Sequence, residues 1–264
     1  MKIDKKLLEQ HVTQYIAEVY ADSLTDAGFV CPNDNLLCWY RLQSDEIVNS
    51  FIFYSKWSRQ PVLLSLEYGI TPLFEMPVHI KSFTFNEQVD EEILTQPLFS
   101  RIEGAKTIFL DNVRAYVPYG SHTLEVLLPE MNRIQTIEEA YNYYKDCRLN
   151  APMAKNYKES GYGRYGVLSK TMINMALWVD DKEMYPHAVF VTDEKVALFE
   201  KICKRHPRRT ACRQELASWQ RLQTVLNEGS RDNYIAELSR RIEENTQLVK
   251  EQYLCLKSPK CDTN

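Results

Sequence analysis

The sequence predicts an α+β protein: an N-terminal antiparallel sheet covered by a helix, followed by a mainly helical C-terminal lobe. Three observations predict it. Val62, Leu64, Leu66, Tyr68 and Ile70 alternate with Leu63, Ser65, Glu67 and Gly69, a period of two that places one apolar row on one face of a strand. Two apolar runs precede it, Leu36–Leu42 and Ile47–Tyr54, joined by the polar turn Gln43–Glu46, so the strands can follow one another as a meander. Beyond Asn132 the apolar residues recur mainly at spacings of three and four. The expected lobes are residues 1–132 and 133–264.

Each element has a local reason. Asp4–Ala27 reads as a helix, with Leu8, Val12, Tyr15, Ile16 and Val19 at helical spacing and Gly28 where a C-terminal cap belongs. Cys31-Pro32-Asn33-Asp34-Asn35 is turn chemistry leading into the first strand. Pro61 fits the start of the third. Val78–Phe85 changes phase and predicts one strand bent near Ser82, and Glu87–Glu92 is an acidic run whose usual meaning is solvation. Leu98–Val117 fits a helix and strand or two strands. Ser121–Met131 predicts a helix, and Thr136-Ile137-Glu138-Glu139 is a capping box that starts another, running to about Cys147.

In the second lobe Leu168, Met172, Met175, Ala176 and Val179 form one stripe. Ala188–Val191 reads as a strand or a buried connector. Asp193–Arg205 is a helix broken at His206-Pro207. Glu215–Asn227 and Asp232–Leu254 flank Gly229-Ser230 and predict an antiparallel helical hairpin.

Gly28-Phe29, Trp39-Tyr40-Arg41, Phe51-Ile52-Phe53 and Leu66 with Tyr68-Gly69 occur in an order that resembles a bacterial family known only as a domain of unknown function. The resemblance covers residues 8–72. It implies the helix-on-meander fold and no catalytic residues.

Composition bounds the function. With 264 residues, 44% hydrophobic and 26% charged, the chain is ordinary for a globular protein of one large or two average domains. Residues 1–132 carry 10 Lys+Arg against 18 Asp+Glu, or -8, and residues 133–264 carry 22 against 18, or +4. The contrast points to an anionic partner for the second half or to attraction between the halves. Seven cysteines are an odd count without any C-x-x-C pair, which predicts reduced thiols. No charged-then-apolar leader follows Met1 and no apolar run approaches the ~18 residues of a membrane span, so the expected setting is cytoplasmic, with no membrane partner.

Candidate chemistry is sparse. Gly161-Tyr162-Gly163-Arg164-Tyr165-Gly166 spells the dinucleotide fingerprint, yet the preceding residues 153–160 lack strand alternation, so no nucleotide cofactor is expected. The same loop interleaves Lys158 and Arg164 with Tyr162 and Tyr165, cations and aromatics able to grip phosphate and stack on bases. Lys201, Lys204, Arg205, Arg208, Arg209 and Arg213 crowd one segment without an acidic residue, a density that can neutralise phosphates. Trp39, Tyr40 and Trp57 are candidates for an aromatic contact face, with core filling the more frequent use. Cys203, His206 and Cys212 fall short of the four ligands zinc takes, so no metal is expected. The five histidines are dispersed, and His79 with Asp111 and His122 is a combination to check for convergence in space, not one the sequence assigns a role.

The leading expectation is a non-catalytic binding or protein-interaction module with an unknown protein partner. The alternative is a nucleic-acid or phospho-ligand binder using residues 201–213 and the Gly/Tyr loop 157–166, a polyanion then being the partner. An enzyme with a spatially assembled site is the third reading.

Overall fold

A computed structural model describes residues 10, 13, 14, 16–32, 37–57, 62–75, 87–88, 124–125, 127–145 and 169–251, with the side chains of 54–57, 62–68, 87–88 and 144 outside that description. The fold is α+β, as the alternation and helical spacing require. The chain divides into two compact units, Met1–Gln135 with Glu244–Asn264, and Thr136–Glu243.

The first unit is built on the meander. Strands β1 (Cys38–Leu42), β2 (Ile47–Trp57) and β3 (Val62–Pro72) pair antiparallel in chain order, and a short β4 (Glu87–Gln88) adds to the edge of β3. The acidic run 87–92 therefore starts as a strand, with Glu87 opposite Tyr68. The turn between β1 and β2 closes on Ser44, whose Oγ accepts from the amides of Glu46 and Ile47 at 3.1 Å each. Register Trp39↔Phe51 and Arg41↔Asn49 puts Trp39, Arg41, Ile47, Asn49, Phe51, Phe53 and Ile70 on one face.

That face is covered by helix α1, a π-helical stretch Ala17–Ala21 continuing into an α-helical turn Asp22–Asp26. Ile16, Val19, Tyr20 and Leu24 are its buried stripe, and the Tyr20 ring lies 4.9 Å from that of Phe53. The helix ends on Gly28 at φ +83°, where the Gly28 amide reaches Thr25 O and the Phe29 amide reaches Leu24 O, both at 2.9 Å. This is a Schellman closure, possible because glycine adopts the left-handed conformation without a Cβ clash. It drops Phe29 onto Phe51, ring centroids 5.1 Å apart.

The opposite face holds Tyr40, Val48 and Ile52, all buried, together with Ser50 and Thr71, whose buried hydroxyls have no hydrogen-bond partner among the described residues.

In the second unit the capping box forms as read: Thr136 Oγ1 accepts from the Glu139 amide and Glu139 Oε2 from the Thr136 amide. It starts α2 (Ile137–Tyr144). Helix α3 (Lys170–Trp178) is buried at every position from Thr171 to Leu177, so it is a central helix rather than one with a single wet face. Helices α4 (Tyr185–Arg205) and α5 (Thr210–Glu228) pack along one another. Ala188–Val191 is thus helical, and α4 begins eight residues before Asp193, with Pro186 in its first turn where the missing amide costs nothing.

The last helix, α6 (Arg231–Val249), meets α5 through side chains: Arg221 bonds Glu237 and lies 5.9 Å from the Tyr234 ring. Its buried residues Tyr234 and Leu238 belong to the second unit, where the Tyr234 hydroxyl donates to Asn174 Oδ1 on α3 at 3.0 Å. In its final turns Asn245 donates to Leu73 O at 2.5 Å within the first unit.

Residues 78–85 and 98–117, read as strands or helix, lie outside the described residues. Among the described residues no helix is long and apolar enough to cross a membrane.

Candidate polyanion-binding site

The segment 201–213 is the turn between α4 and α5. Pro207 cannot continue a helix and the residue before it is driven from helical backbone. His206 accordingly leaves the helix at φ -131°, ψ 64° and caps α4. Arg209 N donates back to His206 O at 3.1 Å, and α5 starts at Thr210. The turn and the helix ends that flank it carry all six cations of the segment. Lys201, Lys204, Arg205, Arg208, Arg209 and Arg213 are exposed, and none has an ion-pair partner among the described residues. His206, Pro207, Arg208 and Arg209 line a shallow depression of about 310 Å³.

Helix stability explains only part of this cluster. Lys204 and Arg205 stand in the last turn of α4, where the carbonyl end of the helix favours a cation by about 0.3–1 kcal/mol. Arg208, Arg209 and Arg213 stand at the amide end of α5, where the same field opposes them. Helix α5 has no acidic residue in its first turn, and Arg209 at its N-cap gives no side-chain cap. Three cations are therefore held where the fold gains nothing from their charge. A phosphate-bearing ligand would meet cations and uncapped amides together.

The other expected site residues fall differently. Trp39 and Tyr40 are 2% and 4% exposed, on opposite faces of β1, and fill the core. Trp57 ends β2, with its side chain outside the described set. Lys158, Tyr162, Arg164 and Tyr165 of the Gly/Tyr loop lie outside the described residues, as do His79, Asp111 and His122. Cys203, His206 and Cys212 do not converge: no three His, Cys, Asp or Glu side chains among the described residues are placed to hold a metal.

One ionisable cluster and one half-buried arginine escaped sequence reasoning. On the first, Asp181 Oδ2 accepts from the Tyr141 hydroxyl and from Lys145 Nζ, both at 2.6 Å, while its Oδ1 accepts from the Glu183 amide at 3.1 Å. Burial pushes the Asp181 carboxyl up, but the bonds from Lys145 and Tyr141 outweigh it and hold the group below the usual carboxylate range. Burial and the bond to Asp181 raise Tyr141 well above a normal phenol. The group has neither a free base nor a free nucleophile, and it clamps α2 to the α3–α4 turn.

The adjacent Asp180 sits at φ 57° and closes α3 in the role glycine plays at Gly28: the Asp181 amide reaches Ala176 O at 2.9 Å. Asp180 Oδ1 accepts from the Tyr185 hydroxyl at 2.6 Å, and burial with that bond pushes Tyr185 up to about 12. Arg231 completes this end by donating to Leu177 O at 2.7 Å and Trp178 O at 3.0 Å.

The second is Arg41, which donates to Ala27 O at 2.8 Å and Asn132 Oδ1 at 2.7 Å and lies 4.6 Å over the Phe29 ring. Burial lowers its pKa. Its acceptors are uncharged, so it secures the end of α1 rather than an anion.

Comparison with protein-family models, with curated proteins and with solved structures finds no match.

Proposed function

We propose that this chain is a non-catalytic binding protein that engages a phosphate-rich polyanion through the cationic tip of the α4–α5 hairpin. The observation that carries the reading is the set of six exposed cations at 201–213 without an ion-pair partner among the described residues. Cations spaced around one turn suit a charged polymer that neutralises several at once, with affinity set by counterion release. Cations on a turn meet phosphates first, and phosphate contacts carry no sequence information, so binding is expected to be largely indifferent to sequence. Cytoplasmic location belongs to the same proposal, since Cys203 and Cys212 form no disulfide among the described residues and fit a reducing compartment.

The test is fluorescence anisotropy with random single-stranded RNA and duplex DNA at low salt. The wild-type chain should bind both, and K204Q/R205Q/R208Q/R209Q should bind at least ~10-fold more weakly with unchanged circular dichroism. Equal binding by the two proteins would refute the assignment.

A further inference from the structure

Phe190, 60% exposed, and Leu198, 47% exposed, are the two large apolar side chains that the described residues leave in solvent, and both lie on α4. At about 100° per residue, taking Phe190 as zero, Lys201 falls at about 20°, Glu194 at 40°, Arg205 at 60° and Leu198 at 80°. Ala197 lies at about -20°. They form one exposed stripe from about -20° to 80°, bordered by buried Val191 at about 100°, while buried Ala188, Thr192 and Val196 lie on the far side at about 160°, 200° and 240°. Of the other two acids on this part of α4, Asp193 is turned aside to accept from Gln223 on α5 at 2.6 Å, and Glu200 falls at about -80°, off the stripe. Glu194, Lys201 and Arg205 are exposed and have no ion-pair partner among the described residues.

The order of these groups is self-complementary. The midpoint between Glu194 and Lys201 is the midpoint between Phe190 and Arg205, and it falls between Ala197 and Leu198. We propose that the outward face of α4 pairs antiparallel with α4 of a second copy of this chain about a two-fold axis at that point. Each Glu194 then meets Lys201 of the other copy, and each Phe190 ring meets the other Arg205 guanidinium, an acid–base and a cation–π contact each made twice. Ala197 and Leu198 sit at the axis, where a small and a large apolar group interlock. A single helix face is at the small end of interface sizes, so the dimer is weak and reversible. The charge pattern selects a second copy because one helix supplies both halves of every contact.

This surface shares Lys201 and Arg205 with the polyanion reading, but Arg208 and Arg209 take no part in it, so variants at those two positions tell the two readings apart. Sedimentation equilibrium of the whole chain, from micromolar to millimolar, tests it. Wild type should show a monomer–dimer equilibrium. E194K or K201E alone should weaken it ~10-fold or more by placing like charges opposite, and E194K/K201E should restore it. F190S/L198S should be monomeric, while R208Q/R209Q should dimerise as wild type does. A wild-type chain monomeric throughout, whatever else the face binds, would overturn the proposal. So would a double reversal that fails to recover the association lost in the single variants.

Discussion

Replacing Asp181 by Asn removes one charge from the contact that joins α2 to the α3–α4 turn. Asp181 accepts three bonds, from Tyr141 and Lys145 at 2.6 Å and from the Glu183 amide at 3.1 Å. The Lys145 contribution is small, because its side chain is 34% exposed and an ion pair of that kind contributes about 0.2–1 kcal/mol. Tyr141 is 2% exposed, so its hydroxyl has little water to turn to, and a hydrogen bond to a charged group contributes about 1.5–3 kcal/mol. Asn keeps a neutral acceptor for part of that. Asp181→Asn should therefore lower unfolding free energy by about 1.5–3 kcal/mol at neutral pH, measured by urea denaturation followed by circular dichroism.

Because the native carboxyl titrates below its unfolded value, the stability it contributes is complete above the unfolded pKa of about 3.9. That contribution is lost as pH falls through the lower native pKa, so wild type and Asp181→Asn should converge in acid. A double-mutant cycle with Tyr141→Phe should show coupling of about 1 kcal/mol or more. A change under about 0.5 kcal/mol, or additive single effects, would refute the clamp.

Three further substitutions probe the scaffold by the same denaturation assay. Thr71→Val replaces a buried hydroxyl that has no partner among the described residues with a methyl of like shape, and stability should hold or rise by up to about 1 kcal/mol; a clear loss would show that the hydroxyl is bonded. Thr136→Ala removes half of the capping box of α2 and should cost about 1 kcal/mol. At Gly28 an added Cβ would meet Arg41 Cδ at an ordinary 3.5 Å, so the loss in Gly28→Ala, about 1–2 kcal/mol, comes from the φ of +83° and should be smaller in Gly28→Asn.

The meander was legible because a strand with a covered face writes its period into the chain, and Gly28 announced the end of α1. Helix α4 was legible only from Asp193 onward. Ala188–Val191 contains two β-branched residues within four positions, and burial of Ala188 and Val191 against neighbouring helices overrides that local preference. The end of α3 was hidden because Asp180, not glycine, takes the left-handed position. Tyr141 and Lys145 are visible as a pair four apart on one helix, but Asp181 is joined to them only by tertiary folding. The same limit applies to the basic segment. Its composition can be read directly, whereas the exposure of its cations and their lack of carboxylate partners depend on where the chain turns.

The central claim, that the α4–α5 tip is a polyanion contact, is tested most directly by the salt dependence of duplex-DNA affinity. For wild type, log K should fall linearly with log salt. In R208Q/R209Q the slope should be shallower by about 2, one for each phosphate contact removed. An identical slope and affinity in the two proteins, or no binding by wild type at low salt, would contradict it.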